Sequence, residues 1–146
     1  MIKNLFVYNQ KGISINKKSI HKLIHYLKQE LNFVINNLEI NFVNPETILE
    51  INKNYLNHNY YTDVIAFNYS EENNNLDGEI FICNEIAKEN SKIYRVNYED
   101  ELKRLVIHGI LHLIGYNDKI PAERKKMKLK EDSLVKKTKK LGDILK

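Results

Sequence analysis

The chain has 146 residues, of which 42% are apolar and 29% are charged. This length and balance are typical of one soluble domain with its own hydrophobic core. No run approaches the roughly 20 apolar residues that a membrane span requires, so the membrane-spanning classes are excluded. The N-terminus lacks the apolar core of a signal peptide, and a single cysteine, Cys83, cannot form an internal disulfide. We therefore expect a cytoplasmic protein.

The net charge of +4 is unevenly distributed along the chain. Residues 119–146 contain 11 Lys or Arg and four Asp or Glu, a balance of +7, whereas residues 1–118 balance to −3. A basic segment of this kind suits a polyanionic partner such as a nucleic acid. A solvated helix face explains the same charges equally well, so both interpretations remain open.

Periodicity divides the chain into short strands and amphipathic helices. Alternating apolar residues indicate strands, and apolar residues three and four apart indicate helices. Asn44 before Pro45 is an expected helix N-cap, as are Asn84 and Asn97. The predicted elements are one or two short strands within 5–15, a helix over 17–35, a strand at 38–43, a helix from 45 to about 56, a strand at 62–67, a loop at 70–78, a strand at 79–83, a helix from 84 to about 95, a long helix from 97, and a last helix from about 121.

These elements predict an α+β fold, in which a small mixed β-sheet is packed with about five helices. The strands at 62–67 and 79–83 are joined by one loop and should form an antiparallel hairpin. The long helix is apolar nearly all round from Leu105 onward, so it should be buried on most sides. The apolar positions of the last helix are Met127, Leu134, Leu141 and Leu145.

Two histidines, His108 and His112, lie four residues apart in this buried helix. Positions i and i+4 project from one helical face, Gly115 is a stop signal, and Asp118 follows within a few residues. Two imidazoles and a carboxylate can bind a divalent metal on three sides and leave the fourth side for water. A pair of core histidines, hydrogen-bonded to backbone or carboxylates, is the alternative. Burial of the helix and the nearby carboxylate favour the metal site.

Gly109 follows the first histidine of this pair. A glycine inside a helix costs about 1 kcal/mol relative to alanine, so we expect it to let a strand or a substrate approach the helix. In the metalloprotease pattern HExxH this position holds the glutamate that acts as general base. That base is missing from the chain.

A second pair, His21 and His25, has the same spacing in the helix over 17–35. It lies beside Lys28 and Asn32, opposite the apolar stripe, and no turn with a third ligand follows. We therefore expect both imidazoles to be exposed and not to bind metal.

Three segments resemble the YbeY family of metal-dependent endoribonucleases. His108–Tyr116, with the sequence HGILHLIGY, resembles the family signature. Thr62–Phe67, with its lead-in from Tyr55, is similar to the family's Pro-Thr-Asp-Val-Leu-Ser-Phe segment. Gly78–Cys83 is similar to its Gly-Asp-Ile strand. The order and spacing of the three segments match, and the resemblance covers most of the chain.

The resemblance implies that residues 1–146 form one metal-dependent endoribonuclease domain. This domain would cleave single-stranded RNA in 16S ribosomal RNA 3′-end maturation and ribosome quality control. It implies one divalent metal ion per chain, with Zn²⁺ expected, and His108, His112 and Asp118 as both metal ligands and catalytic residues. The implied partners are ribosomal RNA and either small-subunit ribosomal proteins or a GTPase, without a membrane.

The chain departs from the family pattern at four positions. Asp118 stands where the family usually has its third histidine, and Asn117 replaces the preceding aspartate; two histidines and a carboxylate are a known set for catalytic zinc. Tyr61 replaces the proline before Thr62. Leu56 replaces an arginine whose charge could stabilise a phosphate transition state. Lys53 and the basic C-terminal segment are candidates to replace that charge.

Other residues in the matching segments have more ordinary expected roles. We expect Asp63 and Glu79 to make structural hydrogen bonds and not to orient a ligand imidazole. Tyr116 should pack in the core and not stack on a base. Cys83 should be a small buried apolar residue. The lysines expected to position the RNA backbone are Lys119, Lys125 and Lys126.

Three other functions remain open. A metalloprotease is disfavoured by the missing glutamate at Gly109. A non-haem iron oxygenase also uses two histidines and one carboxylate, although its ligands usually come from a β-barrel. A non-catalytic ribosome-associated RNA-binding protein is favoured by the loss of the arginine at Leu56.

Overall fold

The computed structural model describes all residues from 1 to 146. It contains four strands, five α-helices and a short 3₁₀ helix. None of its helices combines the length and apolar character needed to cross a membrane. In chain order the elements are β1 (Leu5–Asn9), α1 (Lys17–Leu31), β2 (Val34–Val43), α2 (Pro45–Leu56), β3 (Val64–Asn68), β4 (Asn75–Cys83), α3 (Asn84–Tyr94), α4 (Tyr98–Leu113), α5 (Pro121–Lys137) and the 3₁₀ helix (Lys139–Leu141).

The four strands form one mixed sheet in the order β1-β2-β4-β3. β2 lies parallel to both β1 and β4, and β3 lies antiparallel to β4 at the edge. The antiparallel hairpin is therefore confirmed, with Ile65 opposite Phe81. The α+β prediction of a small mixed sheet with about five helices is also confirmed.

The sheet has one heavily covered face and one lightly covered face. Leu76, Ile80 and Ile82 alternate along β4 and join the main core, to which α1, α4 and α5 also contribute. The other face of β4 carries Phe81 and Cys83, which pack in a small cluster with the inner side of α2. Cys83 is fully buried, as expected for a small apolar residue. α2 and α4 thus lie on opposite faces of the β3–β4 edge.

The prediction of a helix over 17–35 is wrong at its C-terminal end. Asn32 adopts the left-handed conformation (φ 58°) and caps α1, a position that asparagine tolerates better than most residues. Val34 then begins β2, four residues before the predicted start at Leu38. The apolar spacing of Val34 continues the helical pattern only by coincidence. In the structure Val34 belongs to β2 and pairs with Asn75 on β4.

Two of the three predicted asparagine caps are confirmed. Asn44 accepts a hydrogen bond from Thr47 N (2.9 Å), and Asn97 accepts one from Asp100 N (3.3 Å). Asn84 was the wrong choice for α3, because it is the first helical residue and its Oδ1 has no partner.

Two further boundaries differ from the predictions. The loop at 70–78 is shorter than expected, because β4 already begins at Asn75. The last helix ends at Lys137, so Leu141 lies in the 3₁₀ helix and Leu145 in an isolated bridge with Ile15.

Two charged side chains of α4 hold the C-terminal segment. Glu99 accepts hydrogen bonds from Ile144 N and Leu145 N, at 2.9 and 2.8 Å. The buried Lys103 donates to the carbonyls of Thr138 and Gly142. These long-range bonds satisfy backbone groups that a continuing helix would otherwise satisfy.

Candidate active site

A cleft of about 350 Å³ opens at the β3 edge of the sheet. Its walls come from the end of α2, the segment that leads into β3, β3 itself, α4 and the turn after α4. All three predicted site residues line it, so the structure brings them together. The lining residues are Asn52, Leu56, His58, Tyr60, Thr62, Val64, Ile65, Ala66, His108, His112 and Asp118.

Gly109 allows α4 to lie directly against β4. A Cβ atom at this position would lie 2.7 Å from Ile80 Cδ1 and 2.8 Å from its Cγ2. The expectation that a strand approaches this glycine is therefore confirmed. Because position 109 faces the sheet, a glutamate there could not act as a general base in the cleft.

The end of α4 is a Schellman motif. Gly115 has φ +107°, Tyr116 N donates to Leu111 O (3.0 Å), and Gly115 N donates to His112 O (3.1 Å). Tyr116 is partly buried against the main core, as expected. This motif reverses the chain immediately after His112 and sends it back past the cleft.

Two hydrogen bonds shape the turn that carries Asp118. Lys119 N donates to Asn117 Oδ1 at 2.7 Å, and Arg124 Nε donates to the carbonyl oxygen of Asp118 at 3.0 Å. Arg124 lies on α5, so the position of Asp118 depends on the packing of that helix. The carboxylate itself stays free of these bonds and faces His108, with 3.8 Å between Asp118 Oδ2 and His108 Nε2.

The orientation of the His108 ring is set by Glu131 on α5. His108 Nδ1 lies 2.6 Å from Glu131 Oε2, and the Glu131 side chain is only 4% exposed. With the carboxylate ionised, Nδ1 carries the proton and donates it. The free nitrogen is then Nε2, which faces Asp118. Carboxylate–histidine pairs of this kind orient metal-binding imidazoles and raise their basicity.

Arg104 keeps Glu131 ionised. Its Nη1 lies 2.7 Å from Glu131 Oε1, and its Nε and Nη2 lie 2.9 and 2.8 Å from the buried carboxylate of Glu101. Burial alone would raise the pKa of Glu131, but the neighbouring His108 and Arg104 bring it below its ordinary value. A charged acceptor at Glu131 is therefore available to His108 near neutral pH.

Sequence reasoning missed Glu131, although a signal for it exists. Met127, Glu131 and Leu134 are spaced i, i+4 and i+7 along α5, so a carboxylate interrupts the apolar stripe of a lysine-rich helix. A charge on a buried face requires a partner. The identity of that partner was not predictable, because His108 is 23 residues away.

His58 is a second residue that sequence reasoning missed. It lines the cleft, its Nδ1 lies 3.0 Å from the hydroxyl of Tyr60, and the two rings stack with centroids 5.1 Å apart. Asn52 holds this segment, because its Nδ2 donates to Tyr60 O (2.9 Å) and its carbonyl accepts from His58 N (3.0 Å). In the sequence, residues 57–61 are a polar stretch between a predicted helix and a predicted strand, which gives no signal of a site.

The other candidate residues lie elsewhere. Asp63 accepts a hydrogen bond from Asn90 Nδ2 (3.2 Å), and burial raises its pKa. Glu79 accepts one from the hydroxyl of Tyr69 (2.9 Å) and does not line the cleft. Both therefore make the structural hydrogen bonds that were expected. The lysines that lie outside the lining of the cleft are Lys53, Lys119, Lys125 and Lys126.

The donor set fits a divalent metal in its chemistry, but the side chains do not form a closed metal site. No group of three or more His, Cys, Asp or Glu side chains is close enough to hold an ion as the structure stands. Zinc bonds of about 2.1 Å in a tetrahedron place neighbouring donor atoms roughly 3.4 Å apart. The 3.8 Å between His108 Nε2 and Asp118 Oδ2 is slightly longer. Desolvation and the neighbouring His108 lower the pKa of His112, which favours the neutral imidazole that binds metals.

A helix-borne histidine pair and a carboxylate facing a cleft define a class of site typical of metal-dependent hydrolases. Comparison with known proteins identifies the family. The model of the family "Endoribonuclease YbeY" matches residues 6–139. The chain belongs to this family of RNA-cleaving enzymes.

Individual relatives agree with this assignment. The endoribonuclease YbeY of Bacteroides fragilis is 52% identical over 91 residues, which are 62% of this chain and 65% of that protein, just under two thirds of its length. The endoribonuclease YbeY of Karelsulcia muelleri is 42% identical over 127 residues, 87% of this chain and 89% of that protein. The solution structure of TM1509 from Thermotoga maritima is similar in fold, with a TM-score of 0.65, 28% identity, and coverage of 92% of this chain and 88% of that chain.

Proposed function

We propose that the chain is a metal-dependent endoribonuclease that cleaves single-stranded RNA. One divalent ion, Zn²⁺, would be held by His108, His112 and Asp118. The observation that carries the proposal is the His108 ring, which Glu131 holds at Nδ1 (2.6 Å) so that Nε2 faces Asp118. Membership of the endoribonuclease YbeY family supports RNA as the substrate.

The residues of the chain have separate roles in this proposal. When bound, Zn²⁺ supplies Lewis acidity, which lowers the pKa of water toward 7 and polarises a phosphoryl oxygen. Glu131 fixes the ring and tautomer of His108, and Arg104 keeps Glu131 charged. Arg124 fixes the turn that presents Asp118. Unpaired RNA is the favoured substrate, because its unstacked bases are accessible to side chains, whereas those of an A-form duplex are not.

His58 is proposed to replace the arginine that is missing at Leu56. Leu56 lines the cleft and contributes no charge, and Lys53 does not line it. His58 is two residues further on, lines the cleft, and has Nδ1 engaged with Tyr60, so Nε2 is its free nitrogen. It can therefore donate a hydrogen bond or a proton to a phosphate oxygen.

The wider role follows the family. We propose that residues 1–146 act as one domain in 16S ribosomal RNA 3′-end maturation and ribosome quality control in the cytoplasm. Single-stranded ribosomal RNA is the proposed substrate, and small-subunit proteins or a GTPase are the proposed partners. The basic segment after Asp118 would contact the RNA backbone through Lys119, Lys125 and Lys126.

The test combines metal analysis with cleavage of a labelled single-stranded RNA. Wild-type protein should contain one zinc per chain and cleave the RNA, and His112→Ala and Asp118→Ala should lose both properties. Equal metal content and equal cleavage in all three proteins would refute the site. In a second series, His58→Gln should reduce cleavage and Leu56→Arg in that background should restore part of it.

The second candidate function is a non-catalytic RNA-binding protein of the ribosome. The observation that favours it is Leu56, an apolar residue at the cleft position where the family has arginine. Metal-loaded protein that binds ribosomal RNA tightly and never cleaves it would support this function over the nuclease. Cleavage of a peptide without cleavage of RNA would support the metalloprotease, which the position of Gly109 against β4 disfavours.

A further inference from the structure

A second cleft lies at the opposite edge of the sheet from the active-site cleft. It has a volume of about 850 Å³ and lies between the N-terminal segment, α1 and Leu141 at the end of the 3₁₀ helix. We call it the α1 cleft. β1, the strand beside α1, is at one edge of the sheet, and β3 is at the other. The lining residues are Met1, Ile2, Lys3, Lys18, His21, Lys22, His25, Tyr26, Lys28, Gln29 and Leu141.

Every residue of the α1 cleft that is charged at neutral pH is positive. The cations are the amino group of Met1 and four lysines, and none of these lysines has a carboxylate within 4.0 Å. Residues 1–29 contain six lysines and no Asp or Glu. A fifth lysine, Lys140, lies over the ring of Tyr26, with 5.8 Å between Nζ and the ring centroid. Like charges gathered without partners repel one another, and a bound polyanion would relieve that repulsion.

The shape of the α1 cleft is maintained by a specific contact. Ile2 N donates a hydrogen bond to Nδ1 of His21 at 3.2 Å, and His21 is only 8% exposed. This bond ties the N-terminal segment to α1, so that Lys3 and the α-amino group face the lysines of the helix across the cleft. Burial and the positive N-terminus lower the pKa of His21, which keeps Nδ1 free to accept.

We propose that the α1 cleft binds the phosphate backbone of the single-stranded RNA substrate at nucleotides remote from the cleaved bond. This inference rests on the proposed endoribonuclease function. Lysines interspersed with the rings of His25 and Tyr26 in a groove are typical of surfaces that follow a single strand. A concave cleft favours a narrow polymer over a flat bilayer. The three strand spacings between β1 and β3 alone separate the two clefts by about 14 Å, so an RNA reaches both only if it spans more than this distance.

The test compares two triple variants that remove the same charge. Lys18→Gln, Lys22→Gln and Lys28→Gln remove three cations from the α1 cleft. Lys11→Gln, Lys92→Gln and Lys146→Gln remove three from outside both clefts, and none of those lysines makes a salt bridge. Lysine and glutamine have similar helix propensities, so both variants should keep the thermal midpoint of the wild type. Binding of labelled 2′-O-methyl RNA, which resists cleavage, is measured by fluorescence anisotropy over a range of salt concentrations.

The expected result is a loss that depends on RNA length. For an oligonucleotide of about 30 nucleotides, removal of three contacts should reduce the slope of log K against log salt by about 2, since each contact with a single strand contributes about 0.7. A natural RNA of about three nucleotides, too short to span the roughly 14 Å between the clefts, should be cleaved equally by all three proteins. The control variant should match the wild type for both lengths.

Three results would overturn the inference. The first is an unchanged slope for the long oligonucleotide. The second is an equal loss in cleavage of the short natural RNA, which would show that the lysines act by general electrostatic attraction and not as a second site. The third is an α1-cleft triple variant that binds RNA as the wild type does but no longer binds vesicles of phosphatidylserine and phosphatidylcholine that the wild type binds. Cleavage of a short natural RNA by wild-type protein is measured in parallel, so failure of the nuclease function is distinguished from failure of the α1 cleft.

Discussion

Two histidine pairs in this protein have the same helical spacing and opposite electrostatic surroundings. On α4, His108 contacts the carboxylates of Glu131 and Asp118 beside a cleft that also contains His112. On α1, the pair lies among lysines, and the cleft that it lines contains no carboxylate. The first environment attracts a cation and the second attracts an anion. The i, i+4 spacing therefore supplies a geometry, whereas the neighbouring charges determine the ligand.

The pair on α1 also corrects a prediction. His21 was expected to be exposed and is buried, because the N-terminal segment folds over α1 and donates Ile2 N to the ring. His25 is exposed, as expected. The polar face of α1 was identified correctly, but the segment that covers part of it was not predictable from the helical pattern.

The largest expected difference between the pairs is in zinc binding. His112→Ala should abolish the thermal stabilisation by Zn²⁺, whereas His25→Ala, its counterpart on α1, should leave it unchanged. At about 100 times the dissociation constant, a ligand that binds only the folded state adds about 2.7 kcal/mol. Differential scanning fluorimetry with and without metal measures this effect. Equal stabilisation of both variants would remove the distinction between the pairs.

The second expected effect concerns the carboxylate that orients His108. Glu131→Gln should lower zinc affinity by about 10- to 100-fold, the usual result of removing the hydrogen-bond partner of a ligand imidazole. Glu101→Gln is the matched control, because it also breaks a buried pair with Arg104 but does not touch His108. Both variants should lose roughly 3 kcal/mol of unfolding free energy. A competition titration with a zinc chelator separates them, and equal affinities would show that Glu131 only supports the fold.

The third effect tests why α4 packs closely against the sheet beside its histidine pair. The residue after the first histidine is Gly109 on α4 and Lys22 on α1. Gly109→Ala should destabilise the protein by about 1 to 3 kcal/mol, because the new Cβ overlaps Ile80 and the strand must move. Lys22→Ala is exposed and should change stability by less than about 0.5 kcal/mol. Urea unfolding measures both, and Ile80→Val combined with Gly109→Ala should recover part of the loss.

The smallest expected effect is a pH dependence that originates on α1. The pKa of His21 is lowered from 6.5 by burial and then by the positive N-terminus, so the unfolded chain binds this proton more readily than the folded protein. The stability associated with neutral His21 is therefore complete above about pH 6.5 and lost as the pH falls below it. His21→Asn, which keeps an acceptor near Nδ1, should flatten the fall in unfolding free energy between pH 7.5 and 5.5. His25→Asn should follow the wild-type curve.

Local patterns predicted most of the framework. The caps at Asn44 and Asn97, the Gly115 stop, the β3–β4 hairpin and the burial of α4 all depend on residues a few positions apart, and the structure confirms each of them. The errors lie where local signals conflict with distant partners. Val34 continued a helical period and yet joined β2, because pairing with β4 satisfied its backbone.

The sequence by itself determined that His108 and His112 share a helical face and that Asp118 follows a turn. These facts depend only on the 3.6-residue period and on a glycine that tolerates positive φ. The tertiary structure decided which partners these side chains have. Glu131 reaches His108 only because α5 packs on α4, and His58 enters the cleft only because Asn52 holds its segment. Packing between elements distant in sequence sets the charges around each histidine pair, and therefore decides which pair faces carboxylates and which faces lysines.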